Sequence, residues 1–367
     1  MQPKQVRLEY LDLMRGTLMM LGVVLHSAQI YNPAQAWLIH ANSNHAVFSY
    51  LVQLIASFRM PAFFVVSGFF CMMLIKKASF TGFIATRTQR IAVPLLVTAL
   101  SLNIIQFYFL GNFFATDHNS SSLYSYFSDG VWVQHLWFLI NLLVYIYMLA
   151  VASYVAKFTT VFARAVKYIE RVNIHLLLWL MPFIFIVMLL SSRVGLPVYE
   201  SYFGFFHVHT LLYYMSFFFF GVLIFSSKTT FDKVILIHPA ISVLVIMAAI
   251  LCKNTVAVDS KVVGNFISLY TSLLISWYMI SLCFVAFKAM VKKSRPWIRF
   301  VSDSSYTVYL LHHLLVIVFG TIAIYFSLGA WLGFLFVVVP SCVVAMAFHH
   351  YIVARLSVVR LLLNGKP

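Results

Sequence analysis

Stretches of about 20 residues without a charged side chain recur along this chain, and that feature restricts its fold more than any other. Of 367 residues 63% are hydrophobic and only 9% are charged, with a mean hydropathy of +0.95. A soluble domain carries about 25% charged residues, so this composition leaves too little polar surface to meet water. The apolar runs are continuous rather than alternating, which excludes a transmembrane β-barrel together with disorder, collagen and coiled coil. The chain reads as an all-α polytopic membrane protein.

Runs of spanning length occur near residues 11–31, 48–75, 91–110, 136–156, 174–191, 207–226, 235–252, 265–287, 305–327 and 331–353, which predicts about ten transmembrane helices. The run 48–75 is long enough to need tilt or a break, and Pro61 is the obvious site for one. Lys4 and Arg7 precede the first apolar run, and Ala34-Gln35-Ala36 resembles a signal-peptide cleavage site. That run nevertheless contains Asp12, Arg15 and His26, so it is read as a retained first helix. Cys71, Cys252, Cys283 and Cys342 all lie within apolar runs without a pairing pattern, and are read as packing residues.

A net charge of +16 in a soluble chain would suggest nucleic acid, but here the bases follow topology and no nucleic-acid partner is expected. With the N-terminus in the cytoplasm, only Arg193, Lys253 and Lys261 fall in outer segments and Arg59 falls inside a span, while the remaining 21 of 25 bases fall in inner ones. This asymmetry puts both termini in the cytoplasm and requires an even number of spans. The longest segment between spans, 111–135, has no base and suits an outer loop. Residues 1–367 are expected to form a single integral-membrane domain without internal repeats.

An ionisable side chain inside a span costs a few kcal/mol at least, so each one is a functional candidate. Asp12, Arg15 and His26 fall on one face of the first helix at 100° per residue. Arg15 and His26 lie about 16 Å apart along the axis, the first near the cytoplasmic surface and the second in the outer half. The bland alternatives are an Arg15 that snorkels while paired to Asp12, and a His26 that bonds a neighbouring helix. Arg59 lies well inside its run, 11 residues from one end and 16 from the other, and should face a polar cavity, an acid such as Asp12, or a charged ligand. Pro61 and Gly68 near it allow a broken helix lining a cavity, or a plain kink. Arg87 and Arg90 suit phosphate groups, or serve as a topological flank. His135 stands at the outer end of the fourth span, His207 and His209 begin the sixth, and His312 and His313 sit in the ninth. Neither adjacent nor i,i+2 histidines share a helix face, so they make poor metal pairs, and no metal is expected.

Five features in order then resemble one family: Arg15, ten residues and His26; the block Arg59 to Phe70 containing Ser67-Gly68-Phe69; Arg87-x-x-Arg90; His135-Leu136-Trp137-Phe138-Leu139; and Tyr309-Leu310-Leu311-His312-His313. Together they resemble the ten-helix membrane acyltransferases of acyltransferase family 3, over about residues 8 to 366. Within it the likeness is nearest to members that succinylate osmoregulated periplasmic glucans. The resemblance implies a bacterial inner-membrane enzyme that moves an acyl group from a cytoplasmic acyl-CoA, such as succinyl-CoA, to a sugar hydroxyl on the outer side, with no permanently bound cofactor. Arg15, Arg87 and Arg90 would then meet the donor's phosphates, and His26 would act as base or acyl carrier, with Asp12 orienting Arg15. Arg59 would bind a succinyl carboxylate, and His135 and Trp137 would stand at the acceptor entrance; Ser67, His312 and His313 complete the candidate binding residues. Two rivals remain: an acetyltransferase acting on a surface polysaccharide, and a transporter or flippase, which the lack of internal repeats disfavours.

Overall fold

The computed structural model describes residues 8–35, 37–113, 122–185, 191, 194–255, 260–293 and 295–366. Lys4, Arg7, Ala36 and Arg193 lie outside them, as do residues 114–121 of the expected outer loop and the side chains of Lys157 and Lys261. Helix α1 is Glu9–Ile30, α2 Ala46–Ile75, α3 Phe80–Leu100, α4 Leu102–Phe113, α5 Leu123–Ser128, α6 Trp137–Tyr154, α7 Ala156–Ile169 and α8 Ile174–Leu180. A two-stranded antiparallel hairpin (β1 Ser201–Tyr202, β2 Phe206–His207) leads into α9 Val208–Ser226. There follow α10 Lys228–Ile235, α11 Pro239–Thr255, α12 Lys261–Met290, α13 Pro296–Tyr325, α14 Ala330–Phe348 and α15 Ser357–Asn364, a π-helical turn over His349–Val353 separating the last two.

Among the described residues eight helical segments are long and apolar enough to cross a membrane, and α10 with α11 makes a ninth if that pair, bent by 74°, counts as one span. The protein is an all-α, multi-pass membrane protein, as its composition requires. The tenth expected span, 174–191, begins with a short apolar helix reaching Phe185, and residues 186–190 lie outside the described set.

Helix α1 lies against α2, α13 and α14. Small residues set how closely the backbones meet, since apolar side chains gain little by leaving lipid for protein. A Cβ on Gly68 would fall 1.9 Å from the Phe218 carbonyl oxygen, and one on Gly221 2.0 Å from that of Val65. Helices α2 and α9 therefore touch main chain to main chain. Gly16 does the same more loosely, its Cβ position being 3.2 Å from Ser302 Cα on α13.

Pro61 does not break α2, which runs unbroken from Ala46 to Ile75. Proline lacks the N–H that would bond the carbonyl four residues earlier, here Ser57. The hydroxyl of Ser276, on α12, donates to that oxygen at 2.6 Å. Pro94 in α3 repeats the device: Tyr306, on α13, donates its phenolic hydroxyl to the Arg90 carbonyl at 3.3 Å. In both places a neighbouring helix supplies the missing donor, so the helix stays continuous within the apolar layer.

Gly221→Ala should lower stability by about 1–3 kcal/mol, because the added methyl forces two backbones apart. Gly264→Ala, with no atom within 4 Å of its Cβ position, should leave stability unchanged or raise it. Thermal unfolding of the two variants in detergent compares them directly, and equal melting temperatures would contradict the close packing of α2 on α9.

Candidate active site

Two cavities approach each other from opposite sides of the bundle. The first, about 190 Å³, opens where α1 and α13 begin and is lined by Arg15, Ser67, Arg87, Arg90, Asp303, Tyr306 and Lys366 among others. The second, about 310 Å³, lies toward the other end of α1, beside the middle of α13, and is lined by His26, Trp37, Arg59, His135, Trp137, His312 and His313 among others. A waist of about 10 Å³ lies between Leu18, Met19, Arg59, Met60, Phe63, Phe138 and Tyr309. Phe138 lines all three spaces, Met19 and Phe63 the first cavity and the waist, and Arg59, Met60 and Tyr309 the second cavity and the waist. The three spaces thus share walls, from a basic mouth through the waist to a histidine-lined chamber.

The chamber is built by residues far apart in sequence. His26 lies one turn from the end of α1, and its Nδ1 is 2.7 Å from Oε1 of Gln29 on the same helix face. With that nitrogen donating to the amide oxygen, Nε2 keeps its lone pair. The Trp37 ring stacks on His26 with centroids 5.2 Å apart. His312 and His313 approach the same imidazole at 5.3 and 5.1 Å. His135 sits in a 3₁₀ turn over Gln134–Leu136 and stacks on His313 at 4.6 Å. The turn is tied to α13 by Tyr309, whose hydroxyl donates to the His135 carbonyl at 2.5 Å. Gln106 on α4 closes the ring, its Oε1 2.8 Å from His313 Nδ1 while its amide nitrogen bonds Gln134.

Arg59 stands where chamber and waist meet. A Cβ on Gly22 would lie 2.5 Å from its Nη1 and 3.0 Å from His312 Nε2, so only glycine on α1 leaves room for the guanidinium beside that histidine. Its Nε is buried without a hydrogen-bond partner, and no ion pair to it is found among the described residues. Asp12, the acid weighed for it on sequence, is 3.5 Å from Arg15 instead and lines none of these spaces. Both ring nitrogens of His135 and Nε2 of His312 are likewise buried without partners. So many unsatisfied polar atoms facing one chamber mark a place for a polar ligand, since each costs about 1–3 kcal/mol if nothing meets it.

At the basic mouth Arg15 also lies over the Phe70 ring, 5.1 Å from its centroid. The C-terminal helix closes this side: Thr307 on α13 donates to Asn364 Oδ1 at 3.2 Å and lies 2.8 Å from His349 Nδ1, which sets Asn364 and Lys366 against the cavity. Helix α1 therefore begins on the side where α15 ends. Four cations and one acid, Asp303, line the mouth, whereas Arg59 is the one Lys, Arg, Asp or Glu among the residues lining the chamber.

Of the residues singled out on sequence, Arg15, Arg87, Arg90 and Ser67 gather at the mouth, and His26, Arg59, His135, Trp137, His312 and His313 gather in the chamber. Asp12 reaches neither directly. His312 and His313 point apart on their helix, yet both border the chamber because α1 and α4 enclose this part of α13 from two sides. Sequence reasoning missed Gln29, Trp37, Gln106, Gln134 and Lys366. Gln29 was legible as the i+3 neighbour of His26, whereas Gln106 and Lys366 acquire their places only through tertiary packing.

The acyltransferase domain of acyltransferase family 3 matches residues 8–350. This chain belongs to that family. It is an O-acyltransferase. Two proteins named glucans biosynthesis protein C, from Escherichia coli strains UMN026 and ED1a, are 26% and 25% identical over all of this chain and 97% of their own length. No solved structure matches the chain.

Gln106→Leu should destabilise the protein by about 1–3 kcal/mol, since it strands His313 Nδ1 and Gln134 in a buried site. It should also loosen the His135 turn and lower acyl transfer. A variant with wild-type melting temperature and activity would remove Gln106 from the chamber's supports.

Proposed function

We propose that this enzyme transfers a succinyl group from succinyl-CoA in the cytoplasm to hydroxyls of periplasmic glucans, working as one domain in the bacterial inner membrane. The observation that carries the reading is the polarity of the passage: a mouth with four cations, a constricted middle, and a histidine chamber on the other side. The excess of bases in the segments that include this mouth supports its cytoplasmic placement. Arg15, Arg87, Arg90 and Lys366 suit the phosphates of a coenzyme A thioester, which are too bulky to pass a waist of about 10 Å³. Only the acyl end would reach through, while the acceptor approaches from the periplasm beside Trp137 and His135. The names of the similar proteins support a glucan acceptor.

In this scheme His26 is the general base. Gln29 holds its Nδ1–H, and Nε2 takes the proton of the attacking sugar hydroxyl. The sugar oxygen bonds to the acyl carbon, the thioester C–S bond breaks, and the departing thiolate takes the proton back from the imidazolium. Asp12 acts at one remove by orienting Arg15. Arg59 meets the free carboxylate of the succinyl group, an anion that satisfies a guanidinium with no acidic partner among the described residues.

His26→Ala should abolish transfer while the protein remains inserted and folded, because a lost base costs about 10²–10⁴ in rate. Normal modification of glucans by this variant ends the assignment. Arg59→Met should reduce succinyl transfer far more than acetyl transfer in a competition between the two thioesters, by a margin of roughly 2–5 kcal/mol. An equal loss with both donors would make Arg59 a packing residue and remove the argument for a dicarboxylic acyl group.

A further inference from the structure

A third cavity, about 380 Å³, lies beside the histidine chamber on the same side and is lined by Trp137, Asn141, Phe205, His207, His209 and Tyr214 among others. Trp137 lines both spaces, so one indole is their common wall. We propose that this third cavity is a second glycosyl subsite, which holds an uncharged sugar ring of the acceptor chain next to the unit being acylated. The proposal rests on the reading that the His26 chamber receives a sugar hydroxyl, and it adds that the acceptor is recognised as an oligosaccharide rather than unit by unit.

Charge argues first for a neutral occupant. No Asp, Glu, Lys or Arg is among the lining residues, in contrast to the four cations at the donor mouth, so a phosphate-bearing ligand would find no lysine or arginine to offset its charge here. The volume falls in the range of about 300–1,000 Å³ usual for small-ligand sites. Its walls combine aromatic faces with unmet polar groups. Trp137 and Tyr214 lie 5.2 Å apart with their planes tilted by 35°, which gives C–H groups a bent aromatic surface to pack on. Asn141 is 6% exposed and its side chain has no hydrogen-bond partner among the described residues. His209 bonds Thr210 through Nε2 at 3.1 Å and leaves Nδ1 buried without a partner. A lipid tail would cover the rings and leave these polar groups unmet, whereas a sugar offers hydroxyls at its rim and C–H groups on its faces.

The wall is also fixed in place. The turn of the β-hairpin docks on the loop before α6 through Gly130 and Gly204, at φ +71° and +72°, where a Cβ on either would come within 2.6 Å of the facing main chain. Phe205 packs edge-on to Trp132 at 4.9 Å, so the rim ring is held before any ligand arrives. Preorganised aromatic surface of this kind binds with little ordering cost.

The test uses the full-length protein in detergent or proteoliposomes with succinyl-CoA, and compares glucose with glucose oligosaccharides of two to six units. The wild type should prefer the longer acceptors by tenfold or more in kcat/KM. Asn141→Leu and Phe205→Ala should each reduce that preference about tenfold, and Phe205, at the half-exposed rim, serves if the buried substitution prevents folding. A preference within twofold of wild type in a folded variant overturns the subsite. Calorimetric binding of glucose and the hexasaccharide, without any donor, separates the two readings. Length-dependent binding that Phe205→Ala weakens, without transfer, keeps the subsite and removes the succinyl-transfer reading. Native mass spectrometry that finds a lipid retained by wild type and lost from Phe205→Ala, with no effect of sugar length, assigns the cavity to lipid and overturns the proposal.

Discussion

Inside an apolar layer no water is available to bond a free carbonyl or N–H, and the arrangement of this protein follows from meeting that demand helix by helix. Pro61 and Pro94 each release a carbonyl, and each oxygen is taken by a hydroxyl from another span, Ser276 in one case and Tyr306 in the other. These bonds act at useful places. Pro61 is two residues from Arg59, and the carbonyl that Tyr306 meets belongs to Arg90. The same contacts that keep the helices continuous therefore fix the chamber end of α2 and the basic end of α3.

The polar groups are separated by charge as well as by depth. Arginines and a lysine collect at one mouth, imidazoles and amides collect in the chamber, and Arg59 is the single guanidinium between them. Such a gradient suits chemistry in which an anionic carrier must stay on one side while its cargo reacts on the other. Carrying the phosphates through a waist of about 10 Å³, lined by Leu18, Met19, Phe63 and Phe138 with Arg59 as its one charged group, would require stripping their water, which is costlier than threading a short acyl chain. The aromatic cavity that shares Trp137 extends the pattern, since no Lys, Arg, Asp or Glu lines it.

Glycine accounts for the precision of the chamber. Helix α1 can bring His26 beside α13 only because Gly16 and Gly22 leave no side chain in the way, and Gly22 in particular vacates the volume used by Arg59 Nη1 and His312 Nε2. A methyl there would push the guanidinium away from the imidazole it adjoins. Close backbone approach, rather than apolar attraction, is what helices in lipid have available for this purpose.

The sequence by itself determined the class of fold, most of the spans, and the arginines and histidines that line the mouth and the chamber. Charge-free runs are a local property, and an ionisable residue within or beside one is visible from its neighbours alone, which is why His26, Arg59, Arg87 and Arg90 stand out in the bare chain. Gln29 was within the same reach, three residues from His26. Only the tertiary structure decided the partners. Gln106 meets His313 across 207 positions and Lys366 joins Arg90 at the mouth, and no periodicity encodes such pairs. It also decided that Asp12 serves Arg15 rather than Arg59, and that His312 and His313, which point apart on α13, both face one chamber. Helical spacing sets the direction in which a side chain leaves its own helix, whereas what it meets depends on how closely the next helix can approach, and that is settled by the small residues along every interface at once.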